Sequence, residues 1–397
     1  MATSGGAQYD RGVHYRTFGK LDFVPSALGF GAMRLPVLEG ADGRPDFARI
    51  DYPRATAMLH RAIDGGVNYV DTAYVYHEGA SETWLGEALK GGYRRRVKLA
   101  TKMPVWLVER RDDFDRLLDR QLGRLGEDAV DFYLLHGLDG PGWEGVLAHG
   151  QLDAAARALS DGRIAHLGFS FHGTFELLQE VLAATDLWEF CLLQLNYMDE
   201  DHQAGRRGLE LAADHGLGVA IMEPLRGGML ARNLPPAVEE LWAAAPIARS
   251  PAEWALQWLW SLPEVSFVLS GMTTMQHVEE NLTYASRSRV RLLSEEELAI
   301  VAHVRDAYRE LGPIPCTACR YCLPCPQGVA IPRILELYND AQMYGEPARQ
   351  RLFYTWLDES QRADACTSCG ECEAACPQGI AVAQWLARAQ ALLGVAK

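Results

Sequence analysis

Residues 51–103 read DYPRATAMLHRAIDGGVNYVDTAYVYHEGASETWLGEALKGGYRRRVKLATKM. Two amphipathic stretches of helical period, 55–64 and 81–90, alternate there with two short apolar runs, 69–73 and 97–103. The first helical stretch closes on Gly65-Gly66, where a chain readily leaves the helix. The alternation persists outward in both directions. Strand-like runs recur at 28–35, 130–138, 164–171, 190–198, 218–225 and 265–272. Helical patterns recur at 114–125, 153–160, 175–184, 207–215, 251–262 and 275–285, with Gly126 and Gly216 closing two of them. Eight βα units in series place the chain in the α/β class and predict a closed (β/α)8 TIM barrel. An open doubly wound sheet is the rival, weakened because the first βα turn has no G-x-G-x-x-G.

A barrel does not use all 397 residues. After the eighth unit, Ser294-Glu295-Glu296-Glu297 has the form of a capping box and opens a helix running to about residue 311. Gly312-Pro313-Ile314-Pro315 then breaks the pattern, which predicts a barrel over 1–312 and a small α-helical C-terminal domain over 313–397. The net charge of −14 argues against a nucleic-acid or anionic-membrane partner. No run of about 18 apolar residues appears, so no transmembrane helix is expected. Met1-Ala2-Thr3-Ser4-Gly5-Gly6 lacks the features of a signal peptide, so a cytoplasmic location is expected.

Nine cysteines are spaced very unevenly: Cys191 stands alone, and the rest fall between Cys316 and Cys376. Cys191 lies in a strand run and reads as a small buried hydrophobe. The others form Cys316-x2-Cys319-x2-Cys322-x2-Cys325-Pro326 and Cys366-x2-Cys369-x2-Cys372-x3-Cys376-Pro377, the only internal repeat. The second has the spacing of a bacterial ferredoxin, in which three thiolates wrap one [4Fe–4S] cluster and the fourth ligates the other cluster. The first repeats it with the last gap shortened by one residue. The assignment that follows gives one cluster to Cys316, Cys319, Cys322 and Cys376, and the other to Cys366, Cys369, Cys372 and Cys325. Two structural zinc sites are the rival, but those usually take their thiolates in separated pairs.

In a TIM barrel, reacting groups stand at the C-terminal ends of the strands. Asp71, Lys102 and His136 end the second, third and fourth runs, and Tyr76 follows Asp71 in the next loop. A lone buried charge there would be costly, so Asp71 and Lys102 need one another. A carbonyl that gains a hydride needs a proton. A phenol with a pKa of about 10 is a poor donor at neutral pH, and a nearby ammonium is expected to lower that pKa. A histidine can orient the carbonyl oxygen. Asp71-Thr72-Ala73-Tyr74-Val75-Tyr76, Lys102 and Tyr133-Leu134-Leu135-His136 resemble the Asp/Tyr/Lys/His tetrad of the aldo-keto reductase family. The tail resembles its bacterial branch with a C-terminal ferredoxin-like two-[4Fe–4S] domain. The resemblance implies Tyr76 as proton donor, Lys102 as its tuner, Asp71 as the anchor of Lys102 and His136 as substrate orienter. Tyr74 has a similar local setting.

The resemblance also implies a nicotinamide site built from Ser170, Gln194, Leu225, Gly227, Gly228, Met272, Glu280 and Asn281. Four positions depart from it. Phe171 stands where many members have asparagine, Met222 where many have an aromatic ring, and Gly271 and His277 where many have basic residues. Arg34 follows the first strand and is expected at the mouth of the barrel or in a surface salt bridge. Arg94-Arg95-Arg96 reads as a solvated turn, 138–151 as a long loop, and Trp254 and Trp258 as one buried helix face that Trp260 does not share. The expectation is an oxidoreductase acting on a small carbonyl or alcohol, with two [4Fe–4S] clusters, NAD(P)H and room for a redox protein partner. A flavin would reconcile two-electron with one-electron chemistry, but no motif for one appears. The alternatives are a plain NAD(P)H-dependent carbonyl reductase with structural or sensory clusters, and a non-enzymatic electron carrier.

Overall fold

A computed structural model describes residues 12–41 and 43–394. The opening stretch read for a signal peptide lies outside them. Eight strands close a parallel barrel: β1 (Leu28–Gly31), β4 (Tyr69–Asp71), β5 (Lys98–Met103), β6 (Val130–Leu138), β7 (Ile164–Phe171), β8 (Phe190–Gln194), β9 (Gly218–Met222) and β10 (Phe267–Ser270). β2 (Val37–Glu39) and β3 (Pro45–Ile50) form a separate antiparallel hairpin. The helices of the barrel sequence are α1 (Tyr52–Asp64), α2 (Ala80–Ala88), α3 (Asp113–Leu125), α4 (Gly140–Ala148), α5 (Gln151–Ser160), α6 (Phe175–Ala183), α7 (Gly205–Asp214), α8 (Pro236–Ala243), α9 (Pro251–Trp260), α10 (Met275–Ala285) and α11 (Glu295–Glu310). The tail adds α12 (Ile331–Met343), α13 (Pro347–Thr355), α14 (Glu371–Ala374) and α15 (Val382–Leu393). None of the described helices is long and apolar enough to cross a membrane.

The barrel interior is filled, not open. Tyr69, Phe132, Phe190, Leu192, Phe267 and Leu269 converge on Phe18, which comes from the segment before β1. Phe18 packs so closely on Gly218 that a Cβ there would lie 2.1 Å from the ring. That plug leaves the opposite, C-terminal ends of the strands as the open face.

Contacts divide the chain into two compact units. The barrel unit comprises the described residues up to Gly227 together with Ala252–Ser294. The second unit comprises Gly228–Pro251 and the described chain from Glu295 onward. By packing, α11 groups with the second unit, because α8 and α11 pack on one another within it. The core of the tail joins Ile334, Leu335, Leu337, Tyr354, Leu386 and Leu393 from α12, α13 and α15.

Several expectations need correction. The strands are shorter than the apolar runs at 28–35, 190–198 and 265–272, because apolar residues continue past the ladder into the loops. The stretch 138–151 is largely helix α4, capped by Asp139, whose side chain accepts from the Gly142 amide at 2.9 Å. α9 is buried all round, so Trp260 is as enclosed as Trp254. The Arg94–Arg96 turn is not merely solvated: Arg94 pairs with Glu127 and Asp131, each at 3.0 Å, and Arg96 pairs with Asp64 at 2.7 Å.

Candidate functional site

At the open face, Lys102 on β5 reaches across to β4. Its ammonium donates to Asp71 Oδ1, to the Thr72 carbonyl at 2.8 Å and to the Tyr76 hydroxyl at 3.2 Å. Both members of the Asp71–Lys102 pair are almost fully enclosed. Losing one of them would strand a buried charge at a cost of about 3–5 kcal/mol. Burial disfavours the Lys102 ammonium, but Asp71 and Tyr76 outweigh it, so its pKa is raised and it stays charged. The His136 ring on β6 stands edge-on to Tyr76, with centroids 6.0 Å apart, and Trp106 lies 5.2 Å from it on another side. Asp71 Oδ2 and His136 Nδ1 are buried polar atoms without a hydrogen bond. A ligand bound at this cluster would supply partners for both.

A second layer holds this cluster. The buried Glu82 on α2 accepts from Thr101 at 2.7 Å, from Gln121 at 2.7 Å and from Arg124 at 3.0 Å. Gln121 also donates to the Lys102 carbonyl at 3.0 Å, which fixes the strand end. Tyr76 sits in a tight turn followed by His77 and Glu78, both left-handed at φ 52° and 54°. Two such non-glycine residues in a row are strained and need outside support. His77 supplies it: its Nε2 accepts from the Leu35 amide at 3.2 Å and its Nδ1 donates to the Phe47 carbonyl at 2.9 Å. Those partners define a neutral imidazole, and burial lowers its pKa accordingly. Sequence reading passed over His77; its place next to Tyr76 was the only signal. Tyr74 points away, accepting from Arg120 at 2.8 Å with Arg124 over its ring, so Tyr76 alone of the two meets Lys102.

The expected direction of the Tyr76 shift is overturned. Burial raises its pKa by more than Lys102 lowers it. His136 moves the other way: burial, then Lys102 and His172, push its pKa well below 6.5. The imidazole is therefore neutral at pH 7 and works as a hydrogen-bonding group, not a cation. The unfolded chain takes up this proton below about pH 6.5, while the folded chain does so only at much lower pH. Stability linked to His136 is thus complete above 6.5 and is lost as pH falls below it. Melting curves from pH 7 to 5 should show His136→Gln losing less stability than the parent. Equal slopes would refute the assignment. His77 and His172, shifted in the same direction, leave a residual slope in both proteins.

Of the residues expected at the nicotinamide, all but Gly228 belong to the barrel unit. Ser170 is buried and its hydroxyl accepts from the Gly137 amide at 2.7 Å. Gln194 takes part in a network with Gln203 at 2.9 Å and Asp199 at 3.4 Å. Asn281 donates to Ser270 at 3.0 Å, while Glu280 is surface-bound to Gln276. Leu225 is half-buried after β9, Met272 is buried after β10, and Gly227 and Gly228 are left-handed at φ 69° and 99°. Arg34 lies along Gly271, where any Cβ would meet its stem within 3.1–3.2 Å. It is close enough to act electrostatically on Tyr76. His277 is turned into the loop, accepting from the Thr273 amide at 3.4 Å.

In the second unit the tail folds its cysteines round two cavities. Cys316, Cys319 and Cys322 share a cavity with Cys376, from the other motif. Cys366, Cys369 and Cys372 share another with Cys325. Ile331, at the start of α12, lines both. Among the described residues no group of three or more His, Cys, Asp or Glu closes on a single ion. Four thiols at each cavity are the donor set of a cubane of iron and sulfide. Backbone amides also face the sulfurs: Ser368 donates to Cys366 Sγ at 3.4 Å, and the Ala318 amide does the same for Cys316. Burial raises the pKa of Cys316, Cys322 and Cys372, so these thiols ionise readily only when a metal takes them. Cys191, buried in β8, is raised for the same reason and has no metal-binding neighbour among the cavity residues.

Barrel, strand-end tetrad and a four-thiol pair of cavities together define an oxidoreductase of (β/α)8 architecture with an iron–sulfur module. The chain belongs to the aldo/keto reductase family, whose pattern it matches over residues 27–306, and residues 315–381 match the 4Fe-4S dicluster domain. An uncharacterized oxidoreductase of Bacillus subtilis, YqkF, is 25% identical over 74% of this chain and 98% of its own length. Aldo-keto reductase AKR11C1 from Bacillus halodurans superposes with a TM-score of 0.61 at 23% identity, over 74% of this chain and 96% of that one. The aldo-keto reductase from Klebsiella pneumoniae, solved in complex with NADPH, gives a TM-score of 0.58 at 24% identity, over 74% and 95%.

Proposed function

We propose that the protein interconverts a small carbonyl compound and its alcohol, with Tyr76 as the proton-carrying group and two [4Fe–4S] clusters in the tail for electron transfer. One observation carries the barrel half: Lys102 is held between Asp71 and the Tyr76 hydroxyl, and a neutral His136 faces the same phenol. Tyr76 gives its proton to the carbonyl oxygen as negative charge builds there. Lys102 stabilises the phenolate left behind, and Asp71 keeps Lys102 charged and in place. His136 orients the oxygen.

A reduced nicotinamide would supply the hydride. Ser170, Gln194, Leu225, Gly227, Met272 and Asn281 are the residues we assign to holding it, with the left-handed turn at Gly227 presenting amides to a diphosphate. The missing basic residue at Gly271 is answered by Arg34, whose side chain occupies that space. NADPH should therefore raise the melting temperature, since a ligand that binds only the folded state stabilises it. Arg34→Ala should weaken NADPH binding about tenfold, or 1.4 kcal/mol, and leave the iron content unchanged. No thermal shift at millimolar NADH or NADPH would remove the nicotinamide from this reading.

The clusters would supply one-electron reservoirs, held by Cys316, Cys319, Cys322 and Cys376 in one cavity and by Cys366, Cys369, Cys372 and Cys325 in the other. Iron and sulfide analysis on anaerobically prepared protein tests this half. Zinc in place of iron would end it.

A further inference from the structure

The two motifs build the same loop with opposite charge. Aligned from their first cysteines, they read Cys316-Thr-Ala-Cys-Arg-Tyr-Cys322-Leu and Cys366-Thr-Ser-Cys-Gly-Glu-Cys372-Glu. The backbones agree: Ala318 and Ser368 are left-handed at φ 54° and 56°, and Arg320 and Gly370 at 65° and 82°. Gly370 is the residue such a conformation favours. Arg320 adopts it despite the strain, and so brings a guanidinium-bearing side chain to the wall of the Cys316 cavity; no charged residue lines the other. At the third cysteine the contrast reverses. Leu323 follows Cys322, whereas Glu373 follows Cys372 and acts electrostatically on it. The Glu373 carboxylate is fixed there, accepting from the Ala383 amide at 2.9 Å. Glu336 reaches Cys316 from α12, but Arg333 holds it at 2.8 Å.

We propose that Arg320 and Glu373 set an order of reduction, so that the first electron rests on the cluster of Cys316, Cys319, Cys322 and Cys376. This rests on the reading that both cavities hold [4Fe–4S] clusters. Reduction adds one negative charge to a cluster; a cation at its edge favours that form and an anion opposes it. Ile331 borders both cavities, so the two clusters would be neighbours across one side chain.

The test is an anaerobic dithionite titration of the full-length, cluster-loaded protein followed by electron paramagnetic resonance at low salt, where exposed charges are least screened. The parent should show two resolved one-electron waves. Arg320→Gln should lower only the higher wave, by about tenfold in the equilibrium, or 59 mV. Glu373→Gln should raise only the lower one, and Arg320→Lys should keep the parent value. A single unresolved wave in the parent, no movement in either variant, or movement of the lower wave by Arg320→Gln would overturn the proposal. Iron and sulfide present with unchanged potentials sinks this proposal alone; their absence sinks the cluster reading with it.

Discussion

Tyr76→Phe is expected to cut carbonyl turnover by roughly 10²- to 10⁴-fold, the range for removing a positioned general acid. Phenylalanine keeps the ring that packs edge-on to His136 and deletes the hydroxyl 3.2 Å from Lys102. Folding and iron content should not change, since the tetrad and the cysteine cavities lie in different compact units. The loss should fall on kcat more than on KM, because the proton is needed in the transition state and little in substrate binding. The raised pKa of Tyr76 adds a pH arm to the same experiment. With the phenol protonated across the neutral range, carbonyl reduction should stay level, whereas alcohol oxidation, which needs the phenolate, should climb as pH rises towards and beyond 10. Turnover that survives in Tyr76→Phe would remove Tyr76 as the proton-carrying group, whereas no turnover in the parent would leave the electron-carrier alternative standing.

The second large effect concerns Cys376. It belongs to the second motif by position but to the Cys316 cavity in space. Cys376→Ser should remove about half of the bound iron and sulfide, taking the cluster of Cys316, Cys319 and Cys322 and sparing the other. Combining it with Cys316→Ser should cost no further iron. Combining it with Cys366→Ser should empty both cavities. Thiolate–metal bonds contribute to folding directly, so the single variant should also melt the tail earlier. The aliphatic core of α12, α13 and α15 would persist in part, because none of its central residues is a ligand. Two clusters each loaded by its own motif would give the reverse pattern of losses, and iron counts distinguish the two outcomes. Measuring carbonyl turnover in the same variants separates an electron-transfer role for the clusters from a structural one.

Much of this architecture was legible because its signals are local. Eight apolar runs spaced by helical patterns predicted eight barrel strands, and all eight are present. The hairpin of β2 and β3 was missed because Val37–Glu39 is short and mostly exposed, so it carries little alternation of burial. α4 was missed because Gly140-Pro141-Gly142 looks like a loop; proline in the first turn and the Asp139 cap make it a helix start instead.

By itself, the sequence determined the barrel, the order of Asp71, Tyr76, Lys102 and His136 along it and the spacing of the two cysteine motifs, since each is written as spacing along the chain. Only the tertiary structure decided that Tyr76 and not Tyr74 meets Lys102, that burial outweighs the ammonium in setting the phenol's pKa, that Arg34 fills the space left at Gly271 and that α8 and α11 pack with the tail. Each of these depends on distance and desolvation between residues far apart in the chain. Neither quantity has a period or a spacing that a string of residues can carry.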